Sequence, residues 1–217
     1  YLERIKTLIL SPEAIERNKD LKIVYTPIHG TGIKLVPDAL RAFGFTNIID
    51  VPEQNVISGN FPTVISPNPE EPAALAMAVE KAKETDADIV MATDPDADRI
   101  GIAVKDDNGE WILVNGNQTF LIYIYYLITR WKELGKLKGK EYVVKTIVTT
   151  EVMADVARKN NVEYYDCFTG FKWIADVMRK NEGIKTYVGG GEESYGFLAE
   201  DFVRDKDSVQ SVLMCAE

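Results

Sequence analysis

Alternation constrains this chain more than any other feature of its sequence. Short runs of β-branched residues recur between longer stretches whose apolar residues repeat at helical spacing. A sheet fed in that way is buried by helices on its faces, so the pattern predicts α/β units with a mostly parallel sheet. Strands are predicted over 22–25, 48–51 and 88–93. A helix follows the glycine turn His29-Gly30-Thr31-Gly32 and closes at Gly44; a second runs from Pro72 to about Thr85. Proline suits the first turn of a helix, where its missing N–H costs nothing, and Leu75, Val79 and Ala82 share one face of this one. A hairpin over 100–104 and 111–114 turns at Asp107-Asn108-Gly109. The theme then repeats: a helix over 119–134, strands over 142–148, 162–165 and 185–188, and helices over 150–159 and from Thr169-Gly170 to about Asn181. Between the two sets lies Gly135-Lys136-Leu137-Lys138-Gly139-Lys140, basic and short of packing residues. The expectation is two successive three-layer α/β domains with mixed, mostly parallel sheets, over 1–134 and 135–217.

Composition narrows the partners. Among 217 residues, 25 Lys and Arg face 34 Asp and Glu, a formal net charge of -9. Such a surface repels phosphate backbones, so neither nucleic acid nor an anionic membrane is an expected partner. The longest apolar run, 120–128, is less than half of the roughly 20 residues that span a bilayer. Two cysteines, Cys167 and Cys215, make neither a disulfide framework nor a Cys-based zinc site, which fits a cytoplasmic setting. The chain opens at Tyr1, enters an apolar segment directly and closes within a helical pattern, and the expectation is a piece of a longer chain.

Two loops carry chemistry. Asp94-Pro95-Asp96-Ala97-Asp98-Arg99 leaves the end of a buried-looking strand. In extended chain alternate side chains point the same way, so the three carboxylates are expected to converge. Converging carboxylates repel unless a cation neutralises them, and an all-oxygen set in a compact loop suits Mg²⁺. Arg99 adds a forked donor suited to phosphate. The alternatives are a solvated acidic turn and an aspartyl phosphatase with Asp94 as nucleophile. An EF-hand fails on spacing, because Arg99 stands sixth where Gly is needed and Lys105 twelfth where Glu is needed.

The second loop, Gly189-Gly190-Gly191-Glu192-Glu193-Ser194-Tyr195-Gly196, leaves another strand end, where open α/β sheets place ligands. Two carboxylates in the cradle would expel a phosphate. Carboxylate and hydroxyl acceptors suit a polyol, whose hydroxyls donate; the alternative is a flexible surface turn. His29 is the only histidine, so no Ser-His pair or His-metal site can be assembled. It reads as a turn residue, and Cys167 reads as packing.

Together these stretches resemble the α-D-phosphohexomutase family, the phosphoglucomutases and phosphomannomutases. Asp94 to Arg99 is similar to that family's metal loop, and Gly191-Glu192-Glu193-Ser194-Tyr195-Gly196 to its sugar loop in the Glu-Glu-Ser form of phosphoglucomutases. Thr26-Pro27-Ile28-His29-Gly30-Thr31-Gly32 and Ser66-Pro67-Asn68-Pro69-Glu70 also read like family segments. The resemblance spans the chain and implies the second and third of four domains. It implies that Asp94, Asp96 and Asp98 bind Mg²⁺, that Glu192 and Ser194 bind sugar hydroxyls, and that Arg99, Lys145 and Lys206 lie near the phosphosugar. Lys145 is the candidate general base. Thr169-Gly170-Phe171-Lys172 departs from the many phosphomannomutases with His at the Phe171 position. The family's Ser-His phosphoserine loop and its fourth-domain phosphate loop have no counterpart here.

The implied reaction is reversible phosphate transfer between O1 and O6 of a hexose phosphate, through a phosphoserine and a hexose 1,6-bisphosphate. The remaining domains I and IV of the same chain are the implied partners, and this piece alone is expected to be inactive. A phosphomannomutase or phosphopentomutase is the alternative within the family. A Mg²⁺-dependent sugar-binding module and an aspartyl phosphatase are the alternatives outside it.

Overall fold

The computed structural model describes residues 1–217. In chain order the elements are α1 (Leu2–Lys6), α2 (Pro12–Arg17), β1 (Ile23–Thr26), α3 (Val36–Phe43), β2 (Ile48–Asp50), α4 (Pro72–Thr85), β3 (Ile89–Thr93), β4 (Ile100–Lys105) and β5 (Trp111–Val114). Then come α5 (Gly116–Glu133), β6 (Glu141–Thr146), α6 (Val152–Lys159), β7 (Glu163–Cys167), α7 (Phe171–Asn181), β8 (Thr186–Gly191), β9 (Phe197–Ala199) and α8 (Ser208–Ala216). These are two α/β units with mixed sheets, as the alternation predicts. One comprises Tyr1–Asn115 with Ser208–Glu217, the other Gly116–Asp207.

The division therefore falls at Gly116 and not at Gly135. Helix α5 belongs to the second unit because its buried stripe, Phe120, Ile124 and Leu127, lies directly on β8. The contact is so close that a Cβ on Gly189 would meet Leu127 and Ile124 at 3.2 and 3.3 Å. Segment 135–140 is a built loop and not a linker. Gly135 and Gly139 take positive φ, and the Glu141 carboxylate accepts the N–H groups of Lys138, Gly139 and Lys140. Helix α8 returns to the first unit, where it packs on α3 and β4.

The first sheet has the order β2-β1-β3-β4-β5. Strand β1 runs parallel to β2 and β3, and the β3–β4 and β4–β5 pairs are antiparallel. All of β1 is buried, which is why Ile23, Val24 and Tyr25 run on without the apolar–polar alternation of a half-exposed strand. Helix α4 covers it with Ala74, Leu75, Ala78 and Ala82, packed on Val24, Val90 and Ala103. Burial of a side chain the size of Leu75 stabilises by about 2 kcal/mol. Gly44, at φ 115°, ends α3 in the left-handed conformation that glycine adopts without strain.

The second sheet has the order β7-β6-β8-β9, with β6 parallel to β7 and β8, and β9 antiparallel to β8. Gly189, Gly190 and Gly191 are buried strand residues of β8 and not the loop their run suggests. A Cβ on Gly190 would meet the Val144 carbonyl oxygen at 2.7 Å, so the strand has room for nothing larger. Strand β9 is three residues long, too short to show a period. No helix is long and apolar enough to cross a membrane.

Candidate metal and sugar loops

Each sheet hands a parallel strand over to an antiparallel one, β3 to β4 and β8 to β9, and each handover loop carries acidic residues. After β3, the carboxylates of Asp94, Asp96 and Asp98 offer oxygens that all lie within 4.8 Å of one another. They converge as expected, but for a different reason. The loop is a turn and not an extended segment: Ala97 donates its N–H to the Asp94 carbonyl at 3.0 Å and sits at φ 60°. Asp94 is 1% exposed. Its Oδ1 accepts the N–H groups of Asp98 and Arg99, both at 3.0 Å, and its Oδ2 accepts Arg99 Nε–H at 2.7 Å. Burial pushes the Asp94 carboxyl up to about 6, against the pull of those Arg99 hydrogen bonds.

Arg99 is less free than its sequence position suggests. Besides Asp94, its Nη1 reaches Glu70 at 3.4 Å, and its Nε lies 3.8 Å from Asp98. Three carboxylates thus surround one guanidinium, and Asp96 adds a fourth to the loop without reaching it. Mg²⁺ holds oxygens at 2.0–2.1 Å, which places opposite ligands about 4.2 Å apart. Adjacent ligands of such an ion lie about 3 Å apart, so the three aspartates are gathered near one cation's reach without yet closing on it, and the excess of negative charge favours a divalent cation. The loop rests on the first glycine turn. The Thr31 N–H donates to the Pro95 carbonyl at 2.8 Å, and a Cβ on Gly30 would lie 2.4 Å from Pro95 Cα.

After β8, the loop closes on itself through the Glu192 N–H and the Gly196 carbonyl at 2.9 Å. Glu192 is buried, and its Oε1 accepts the Gly170 N–H at 2.7 Å. Burial raises the Glu192 carboxyl above the ordinary range, outweighing Gly170 and the Lys206 charge. Lys206 lays its stem against Gly196, with its ammonium 5.6 Å from the Phe171 ring centroid and 3.1 Å from Asp205. The structure thus brings Glu192, Lys206 and the 169–171 segment together, with Ser194 half-buried in the same loop. A Cβ on Gly116 would overlap the Glu193 carbonyl oxygen at 1.8 Å, so this loop, too, rests on a glycine.

Lys145 is not placed as a base. Its side chain is 0% exposed and its Nζ is paired with Asp166 and Glu151, both at 2.8 Å, and bonded to the carbonyls of Thr146 and Thr149. Burial pulls its pKa down, but the two carboxylates outweigh burial and hold the ammonium protonated. A base needs a free electron pair and a path to substrate, and Lys145 has neither here. His29 is a turn residue as expected, buried at φ 62° with both ring nitrogens bonded, to the Val56 carbonyl and to Thr63. Burial pushes the Cys167 thiol up to about 11, which fits packing rather than nucleophilic attack. Neither the contact of Glu70 with Arg99 nor the inward turn of Glu193 is visible in the sequence. The Pro-Asn-Pro frame before Glu70 hints at a rigid loop, but nothing in the sequence shows that either side chain turns inward.

Comparisons with known proteins give the family. Residues 1–109 match the phosphoglucomutase/phosphomannomutase α/β/α domain II, and residues 115–217 match domain III of the same proteins. The chain belongs to the phosphoglucomutase/phosphomannomutase family. It is 42% identical over 212 residues to a phosphoglucomutase of Staphylococcus aureus strain MRSA252, a match covering 98% of this chain and 37% of that protein. The chain thus spans a little over a third of that curated relative. A phosphoglucomutase/phosphomannomutase family protein of Burkholderia thailandensis superposes with a TM-score of 0.72 at 20% identity, over 95% of this chain and 44% of its own. An N-acetylphosphoglucosamine mutase of Aspergillus fumigatus, solved with GlcNAc-6P and magnesium, superposes with a TM-score of 0.58 at 13% identity, over 95% of this chain and 44% of its own. These two share the fold.

Proposed function

We propose that this chain holds the metal and the sugar for an enzyme that moves phosphate between O1 and O6 of a hexose phosphate. The observation that carries the reading is the convergence of Asp94, Asp96 and Asp98 in one turn beside Arg99. In this reading the three aspartates hold Mg²⁺, which supplies positive charge to the oxygens of the transferring phosphoryl group. Arg99 orients Asp94 and limits the repulsion within the triplet. Glu192 and Ser194 accept hydrogen bonds from ring hydroxyls, and Lys206 stands beside Glu192 as the cation for the sugar's non-reacting phosphate. The Glu-Glu-Ser form favours a phosphoglucomutase over a phosphomannomutase or phosphopentomutase. A phosphoserine in domain I and the phosphate loop of domain IV complete the site, with hexose 1,6-bisphosphate as intermediate and activator, in the cytoplasm.

An aspartyl phosphatase is disfavoured. Asp94, the candidate nucleophile, is buried and both its oxygens already accept hydrogen bonds. This chain has no Ser-His pair, so no conversion of glucose 1-phosphate to glucose 6-phosphate is expected from it alone, even with Mg²⁺ and glucose 1,6-bisphosphate. The test is a double dissociation. Asp96→Asn should weaken Mn²⁺ binding, read by calorimetry or paramagnetic titration, at least about 10-fold. Glu192→Gln should leave Mn²⁺ affinity alone and weaken hexose phosphate binding about 10-fold, the loss of one charge-assisted hydrogen bond. Unchanged Mn²⁺ affinity in the Asp96 variant would overturn the metal assignment, and turnover by the chain alone would overturn the division of labour.

A further inference from the structure

Glu193 stands between two residues assigned to the sugar, yet its side chain runs into the protein. Its Oε2 contacts Thr146 Oγ1 at 3.0 Å and Thr149 Oγ1 at 3.2 Å, and those two hydroxyl oxygens lie 2.7 Å apart. Both threonines are buried, at 0% and 3% exposure. A carboxylate has no proton to donate, so two hydroxyl protons must serve three contacts. Each threonine hydroxyl can donate to the carboxylate, and one of the two shares its proton with its neighbour, so the three oxygens form a closed triangle. A hydroxyl that accepts one bond while donating another to a carboxylate makes a polarised, charge-assisted chain.

Both ends of this chain are fixed. The turn that carries the threonines is clamped by Lys145, which donates to the carbonyls of Thr146 and Thr149 while pairing with Asp166 and Glu151. The Glu193 backbone packs from the other side against Gly116, so closely that a Cβ there would lie 1.8 Å from its carbonyl oxygen. Two residues on, Tyr195 sits at φ 69°, a conformation that a tyrosine keeps only where its surroundings hold it.

We infer that Glu193 is a positioning residue that latches the sugar loop to the turn after β6, so that Glu192 and Ser194 are preorganised before a hexose arrives. Glu193 itself touches no substrate. Its purpose rests on the sugar-loop reading above; its existence does not, and the experiment separates the two. Amide hydrogen exchange is measured on the 217-residue chain and on Thr146→Val, Thr146→Ser, Thr149→Val and Glu193→Gln. Thr146→Val should speed exchange at residues 192–196 about tenfold or more, the equivalent of one charge-assisted hydrogen bond, with the rest of the second unit unchanged. Thr146→Ser should restore the native rate, Thr149→Val should have a smaller effect, and Glu193→Gln should fall between native and Thr146→Val. Native exchange in both Thr146→Val and Glu193→Gln overturns the latch, and so does a uniform acceleration across the unit. Glucose 6-phosphate is then titrated into the same proteins. A Kd raised about tenfold in Thr146→Val and restored in Thr146→Ser completes the proposal. A loosened loop with native affinity overturns the assignment of Glu192 and Ser194 to sugar and leaves the latch standing.

Discussion

The loops after β3 and β8 occupy the same place in two sheets of like topology, and they are built in opposite ways. The candidate metal loop fixes its innermost carboxylate with its own residues, while Thr31 and Ser208 bond only its backbone. Asp94 is bonded to the backbone of Asp98 and Arg99 and to the Arg99 side chain, all within five positions. The sugar loop takes its geometry from elsewhere. Glu192 is held by Gly170, and Glu193 by Thr146 and Thr149, 22 to 47 positions away. Only their footing is alike, since each rests on a glycine, Gly30 under Pro95 and Gly116 under Glu193. A loop that must concentrate like charge needs its counter-charge in permanent contact. If the second loop reads hydroxyls, as proposed, it needs correct direction, and a rigid neighbour supplies that better than the loop itself.

The largest expected difference concerns the cation in each unit. Arg99→Met leaves the buried Asp94 carboxylate without its guanidinium, and we expect a loss of about 3 kcal/mol. Lys145→Met strips Asp166 and Glu151, whose side chains are 41% and 68% exposed and can be rehydrated. We expect about 1–2 kcal/mol there. Urea unfolding read by hydrogen exchange would follow each unit separately, and the reverse order of losses would break the contrast.

Next come the two glycine footings. Gly30→Ala and Gly116→Ala should each cost about 1–3 kcal/mol, because a backbone must move in either case. Their functional signatures should part. Gly30→Ala should weaken Mn²⁺ binding and spare glucose 6-phosphate, and Gly116→Ala should do the opposite. Equal effects on both ligands would show that the loops are not independently seated.

The smallest effect is read in the pH dependence of chemical labelling. Burial raises both the Asp94 carboxyl, to about 6, and the Cys167 thiol, to about 11. A thiol at about 11 carries about 100-fold less thiolate at pH 8 than an ordinary one. In a Cys215→Ser background, iodoacetamide should therefore label Cys167 about 100-fold more slowly than a free thiol. Because the pKa is raised, the rate should climb about tenfold per pH unit between 8 and 10. A rate that levels off near pH 9 would mean that Cys167 is more open in solution than its half-buried place here.

The same contrast explains what could be read in advance. The central strands, α4 and its buried face, the hairpin and the convergence of the aspartates were all legible, because each depends on residues close in sequence. Even there the aspartates converge through a turn at Ala97 and not through extended chain. The division expected at Gly135 failed because composition marks a loop as flexible, whereas Glu141 ties that loop down with three hydrogen bonds. Strand β9 was missed because three buried residues carry no period.

By itself, then, the sequence determined the α/β class, the order of the central strands and helices and the family, since hydrophobic periodicity and short motifs are local properties. Tertiary structure alone decided which sheet α5 and α8 join, that Lys145 is a buried, protonated tie and not a base, and that Glu193 faces inward. The physical reason is the same each time. A charged side chain takes its role from the partners that replace its water, and those partners come from distant parts of the chain.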